Sequence, residues 1–142
     1  MIYLILPLLS GLIAQVSKAF IRSNHQKLGF KNIVAYSGMP SGHSALVVSL
    51  ATIIGLREGL ESPLFAVSLI FAIIVIRDAV GLRRYLGQHG KTLNVLVKDL
   101  KEDEMLDKTY PRLLEQIGHT PKQVLVGSLI GFVLSLIGHI ML

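Results

Sequence analysis

The sequence predicts an all-α protein, a polytopic membrane helical bundle of about four transmembrane helices plus an amphipathic interfacial helix. Hydrophobic residues make up 51% of its 142 residues. Charged residues make up only 16%, whereas a soluble domain usually carries about a quarter. The apolar residues also stand in long uninterrupted blocks, which is typical of helices that lie in lipid. The length fits a single membrane domain, residues 1–142.

Four apolar blocks predict the membrane spans. The first block has no basic segment before it and no small-residue cleavage site after it, which favours a span over a signal peptide. The second begins at the Pro-Ser-Gly-His-Ser turn at residues 40–44, where serine side chains can cap free helix N–H groups. Its apolar run is shorter than the roughly 20 residues of a full span, so this polar end is predicted to enter the membrane region. The predicted spans are about residues 2–21, 41–57, 63–80 and 121–142.

The polar segment 82–120 separates the third span from the fourth. Apolar residues within it recur at helical spacing while most charges fall elsewhere, which predicts an amphipathic helix at the interface or packed on the bundle. The recurring apolar residues are Leu93, Leu96, Val97 and Leu100. In the last span, Gly127-x-x-x-Gly131 allows close contact with another helix.

The basic residues predict the orientation in the membrane. The net charge is +5, and the excess Lys and Arg lie mainly in the first and third loops. By the positive-inside rule these loops face the cytoplasm of a bacterial cell, with both termini outside. The chain has no cysteine, which excludes disulfides and thiolate metal sites. No metal or other cofactor is expected, since the acidic residues form no ligand pattern.

Polar residues collect where the predicted spans meet loops one and three, so they should share one membrane face. The set comprises Lys18, Ser41, Gly42, His43, Asp78, Arg83, Arg84 and His119. A helix N-terminus that follows Ser-Gly offers free N–H groups to an anion, and Arg and Lys add charge-assisted hydrogen bonds to phosphoryl oxygens. Two histidines can serve as nucleophile and general acid on a phosphoester. A carboxylate at a span end needs a partner, and for Asp78 we expect Arg83, or otherwise Arg77.

The segment Gly38-Met39-Pro40-Ser41-Gly42-His43-Ser44-Ala45 resembles the central motif of the type 2 phosphatidic acid phosphatase superfamily, which includes the vanadium haloperoxidases. The wider pattern resembles its small branch, the divergent type 2 phosphatidic acid phosphatase family. The other matching pieces are Gln15-x-x-Lys18, Asp78-Ala79-Val80-Gly81-Leu82-Arg83-Arg84, Leu93-Asn94 and Gly118-His119-Thr120-Pro121, followed by Val124 and Gly127. In this order they cover nearly the whole chain.

The resemblance implies a role for each matching residue. Ser41 and Gly42 would bind phosphate, His43 would protonate the leaving group, and His119 would attack phosphorus. Lys18, Arg83 and Arg84 are the candidates to hold the remaining oxygens. The parent superfamily has an aspartate four residues after the nucleophile, and here that position is Gln123. A neutral amide there can orient the imidazole but cannot stabilise its positive charge.

Three hypotheses for function follow. The first is recognition and hydrolysis of a phosphate group on a lipid or isoprenoid-type substrate by a metal-independent, two-histidine mechanism. The second is a non-catalytic phospholipid-binding or lipid-transport protein that retains the phosphate cradle, favoured by Gln123 and by incomplete Arg and Lys motifs. In the third, the polar clusters only secure helix packing. The expected partner is a membrane lipid or lipid phosphate and not nucleic acid, and the small bundle leaves a homodimer open.

Overall fold

The computed structural model describes residues 1–21, 38–99, 112–115 and 117–141. Five α-helices and one 3₁₀ turn, Lys18–Phe20, make up the regular structure of these residues, with no β-strand among them. The helices are α1, Ile2–Ser17; α2, Gly42–Glu58; α3, Pro63–Val80; α4, Leu82–Asp99; and α5, Pro121–Met141. The all-helical prediction is therefore confirmed for the described part of the chain. The first-loop basic residues, Leu100 and Leu142 lie outside it.

The capping predicted at the start of α2 is confirmed. Ser41 is the N-cap of α2, and its side chain accepts a hydrogen bond from the backbone N–H of Ser44. Ser62 caps α3 in the same way by accepting from Phe65, and Pro63 occupies the first helical turn. These caps satisfy N–H groups that have no partner within the helix.

Two boundaries differ from the predictions. Helix α1 ends at Ser17, short of residue 21, because the chain tightens into the 3₁₀ turn. Helix α4 follows α3 after a single residue, Gly81, so the amphipathic helix begins at Leu82. The predicted amphipathic helix is confirmed, although it is longer than its periodic core of Leu93, Leu96 and Val97 indicated.

Helix α2 lies at the centre of the bundle and packs against α1, α3 and α5. Helix α1 runs antiparallel to it, since the Ser10 side chain bonds Ser49 and the Tyr3 hydroxyl bonds Glu58 farther along. The end of α1, the start of α2, the end of α3 and the start of α5 consequently meet at one end of the bundle. This end is called the site end below.

Helices α2 and α5 run parallel and in close contact. A Cβ atom at Gly127 would overlap the carbonyl oxygen of Ser41, and one at Gly131 would overlap that of Ala45. One turn farther, the Ser49 and Ser135 hydroxyls hydrogen-bond at 2.7 Å, and Ser10 donates to Ser49 from α1 at 3.1 Å. The close contact predicted for Gly127-x-x-x-Gly131 is therefore confirmed.

Among the described residues, most buried side chains are small or hydroxylated, with Ile53 the largest that is fully buried, while most large apolar side chains are exposed. On α3 the buried residues are Ser68, Ala72 and Ala79, whereas Val67 and Ile70 are 67% and 59% exposed. This arrangement is the reverse of a soluble core and is typical of helices that pack tightly against each other within lipid. Two helical stretches, Pro63–Lys98 and Pro121–Met141, are long and apolar enough to cross a membrane, and α1 is a shorter apolar helix of 16 residues.

Candidate functional site

The N-terminus of α2 is the centre of the site end. Ser41, Gly42 and Ser44 are buried, and His43 alone of these four has an exposed side chain. The Ser41 hydroxyl caps the helix and also accepts a 2.9 Å hydrogen bond from the Ser44 hydroxyl. Gly42 packs so closely on α1 that a Cβ atom would lie 2.7 Å from Oε1 of Gln15. A larger residue at position 42 would require the Gln15 side chain to move.

The junction of α3 and α4 brings an ion pair to the same end. Arg83 Nε donates to Asp78 Oδ2 at 2.5 Å, with about a third of each side chain exposed. The predicted pairing of Asp78 with Arg83, rather than with Arg77, is thereby confirmed. Both charged groups lie within electrostatic range of His43. The Arg84 side chain is exposed, and its predicted phosphate-binding role stays a prediction.

A strap, which we define as residues 112–115 and 117–119, leads back along α4 to His119. Asn94 binds its beginning, donating to the Leu113 carbonyl and accepting from the Leu113 N–H, both at 2.9 Å. The strap then passes Gly90 and Gly87 and reaches Gly118, where φ is +89°. At its end, the backbone N–H of His119 donates to the Ala79 carbonyl at 2.9 Å. In the sequence, the Leu93-Asn94 pair stands out only as part of a resemblance, without this role.

His119 has an unusual environment for a histidine. It is 3% exposed, and within the described part of the chain neither ring nitrogen has a hydrogen-bond partner. Burial lowers the pKa of its imidazole from the ordinary 6.5 to about 4. The positive charges of Lys18, His43 and Arg83 act in the same direction. The imidazole is therefore neutral at neutral pH, and its one N–H is buried without an acceptor, which costs about 1–3 kcal/mol.

Gln123 does not orient His119 through a hydrogen bond. Its Oε1 accepts from the backbone N–H of Thr120 at 2.8 Å, while the Thr120 hydroxyl accepts from the Gln123 N–H at 3.4 Å. This reciprocal pair is a capping box at the start of α5. The amide that stands where the resemblance expects an aspartate therefore stabilises the helix start.

The site end gathers most of the residues singled out from the sequence. Lys18, buried at 3% exposure, acts electrostatically on both His43 and His119. The cluster comprises Lys18, His43, Asp78, Arg83 and His119, next to the Ser41–Gly42 helix start. The catalytic and phosphate-binding roles of these residues stay predictions. Among the described residues there is no group of three or more His, Cys, Asp or Glu side chains arranged for a metal ion.

The fold and the site together define a helical membrane protein with a cationic, histidine-containing cluster at one end of its bundle. The chain belongs to the divergent PAP2 family, whose model matches residues 2–134. It is 39% identical over 145 residues to the uncharacterized membrane protein YuiD of Bacillus subtilis (strain 168), with 92% of each chain covered. No solved structure matches it. The resemblance read from the motifs is thereby confirmed.

Proposed function

We propose that the chain binds the phosphate group of a membrane lipid or isoprenoid-type molecule at the site end. The observation that carries the proposal is the buried His119 ring, which has no hydrogen-bond partner in the described part of the chain and lies among like charges. A phosphate oxygen would accept its N–H. The anion would also neutralise the repulsion among the cationic side chains.

The charges of the site end favour an anion. Asp78 is the one carboxylate that acts on either histidine within the described residues, and Arg83 already pairs with it. Lys18 and the N–H groups at the start of α2 add positive potential, because a helix N-terminus attracts phosphate. The lipid class follows from the surroundings, since the outward side chains of α3 and α5 are apolar and the family is one of membrane proteins.

Hydrolysis of the bound phosphoester is the second candidate, and the low pKa of His119 favours it. A neutral imidazole has a free lone pair, so it could attack phosphorus and form an N–P bond while the phosphoester P–O bond breaks. His43, exposed at the start of α2, would donate a proton to the leaving oxygen. Water would then cleave the phosphohistidine and release inorganic phosphate. No carboxylate contacts His119 among the described residues, so its developing positive charge would depend on the bound phosphate for stabilisation.

The test is an assay of phosphate binding and phosphate release by purified protein in detergent, with a panel of lipid and isoprenoid phosphates. His43→Ala and His119→Ala are compared with His89→Ala, which removes an exposed histidine of α4. If the wild type releases phosphate and both site variants fold but release none, the result supports a hydrolase. Saturable binding without turnover, weakened in His119→Ala, supports the non-catalytic alternative. Absence of both turnover and binding contradicts the proposal and leaves a packing role for the cluster.

Orientation and assembly belong to the same proposal. We place the site end at the cytoplasmic face, as the basic loops predict, with α1, α2, α3 and α5 as four spans. In this arrangement α2, with 17 residues, crosses with its polar start inside the membrane region. A homodimer is compatible with the broad apolar exterior and is tested by the mass of the protein–detergent complex.

A further inference from the structure

The strap between α4 and α5 carries the His119 ring into the cluster, although no residue that the structure describes forms a hydrogen bond with that ring. Something other than a bond to the ring must fix its position. The backbone N–H of His119 is held by Ala79 of α3, and the rest of the strap is held by its contacts with α4. They form an ordered series along one face of the helix.

The series begins at Asn94. Its amide forms two 2.9 Å hydrogen bonds with the backbone of Leu113 and donates a third, also 2.9 Å, to Glu115 Oε1. Arg112 donates to the same oxygen at 3.2 Å. The hydrogen bond from Asn94, followed by that from Arg112, lowers the pKa of Glu115. Glu115 therefore remains an ionised acceptor that holds Asn94 in place.

The series continues through two buried glycines of α4. A Cβ atom at Gly90 would lie 2.8 Å from the Leu114 carbonyl oxygen, and one at Gly87 would lie 2.6 Å from that of Glu115. At Gly118 a Cβ would lie 2.7 Å from the Arg84 backbone nitrogen, and the positive φ there strains any residue except glycine. The strap thus lies directly on the α4 backbone, antiparallel to it, from Asn94 to Arg84.

We propose that Asn94 is a positioning residue for His119: by holding the strap in register on α4, it keeps the imidazole buried in the cationic cluster. This inference extends the proposed function, because it assigns the orientation of His119 to a residue on another helix, while Gln123 serves as a helix cap. The positioning itself concerns the ligand-free protein, so it can be tested without any substrate.

The test follows the titration of the His119 imidazole by NMR of histidine-labelled protein in micelles, with the signal assigned from His119→Gln. In the wild type we expect a pKa of about 4. In Asn94→Ala the strap loses its anchor and the ring gains water, so the pKa should move toward its ordinary value of 6.5. Thr92→Ala is the matched control, since Thr92 bonds only Gln88 within α4 and should leave the titration unchanged.

A second pair of variants separates an effect on the His119 position from a general loss of folding. Asn94→Asp keeps the acceptor for the Leu113 N–H but places a carboxylate beside Glu115, so it should raise the His119 pKa part of the way. Adding Glu115→Gln supplies a donor to that new carboxylate and should return the pKa toward about 4. A purely structural role would lower the unfolding temperature of these variants but leave the His119 titration unchanged in the folded protein, and that result would overturn the inference.

The proposed function and this inference fail separately. If wild-type protein binds no phosphate compound while Asn94→Ala still shifts the His119 titration, the positioning role stands and the function falls. If phosphate binding is found and the His119 titration in Asn94→Ala matches the wild type, the proposed function stands and the positioning role of Asn94 falls.

Discussion

The backbone N–H of Ser41 donates a 3.0 Å hydrogen bond to the carbonyl oxygen of Gln123. This bond joins the first turns of α2 and α5, which run parallel, so their N-termini lie side by side. Each N-terminus carries a partial positive charge of about half an elementary unit, and the two repel each other. Lys18 adds a full charge to the same end. The anion proposed for the site end would relieve this repulsion.

The close contact between α2 and α5 gives the first prediction. Gly131→Ala places a methyl group into the Ala45 carbonyl oxygen, which belongs to a rigid helix backbone. The helices must separate, and we expect a loss of stability of about 1–3 kcal/mol or more, measured by unfolding in mixed micelles. Gly138→Ala is the control, because the three atoms nearest its added methyl belong to the Leu6 side chain, which can shift more easily than a helix backbone. Equal stability of the two variants would contradict the close packing.

The interior serines give the second prediction. Ser49 bonds both Ser10 and Ser135, and all three side chains are fully buried. Ser49→Ala leaves the Ser10 hydroxyl to find a new partner, while the Ser135 hydroxyl keeps its 3.0 Å hydrogen bond to the Ser49 carbonyl oxygen. We therefore expect a loss of about 1 kcal/mol, in the range of interhelical hydrogen bonds in membranes. Ser68→Ala removes a hydroxyl that bonds only its own helix and should cost less. A Ser49 variant as stable as the Ser68 variant would show that the serine cluster contributes nothing.

Local signals in the sequence predicted local structure well. The Ser41 cap depends on a bond to Ser44 within one turn of the helix. The Gly127–Gly131 contact depends on two small residues one turn apart on the same helix. Even Thr120-x-x-Gln123 carries the capping-box signature. That signature is a local one, and it is enough to assign Gln123 a role at the start of its helix.

Contacts between residues far apart in the chain could not be predicted from the sequence. Asn94 bonds a backbone 19 residues away, and polar residues in amphipathic helices usually face solvent, so nothing in the pattern marked it as an anchor. Ser10, Ser49 and Ser135 are single hydroxyls in apolar runs, which are common and give no indication of their partners. The burial of Lys18 depends on the 3₁₀ turn that ends α1 early. Arg84 follows Arg83 in sequence, yet its side chain is exposed, whereas Arg83 pairs with Asp78.

The third prediction concerns pH. The folded-state pKa of His119 is about 4, below the ordinary 6.5, so the unfolded chain binds the extra proton between these values. Stability therefore rises with pH across this window, and it should fall by about 3 kcal/mol from this group as pH drops through it. His119→Gln should lose this part of the pH dependence, and His89→Gln should retain it. The free energy of unfolding is measured at several pH values. If its dependence on pH is the same in His119→Gln as in the wild type, the burial of a neutral His119 ring is contradicted.

The fourth prediction separates the two charges of the ion pair. Arg83→Gln removes a cation that can bond phosphate, so we expect about 10- to 100-fold weaker binding of a lipid phosphate. Asp78→Asn removes the opposing carboxylate and should leave binding equal or tighter, although it weakens the Arg83 contact. Arg77→Gln, exposed near the same helix end, is the control. Binding is measured by calorimetry in micelles, and loss in Asp78→Asn alone would assign the pair a structural role only.

The fifth prediction concerns orientation, and the absence of cysteine makes it directly testable. Thr120 is exposed at the site end, and Glu61 is exposed in the turn between α2 and α3 at the other end. In the proposed orientation the α2–α3 turn faces outside, so we expect a membrane-impermeant maleimide to label Glu61→Cys at once in intact cells. The same orientation places the site end inside, so Thr120→Cys should react only after the membrane is permeabilised. The reverse pattern would place the site at the outer face, and equal labelling of both in intact cells would contradict the crossing of α2 and α3.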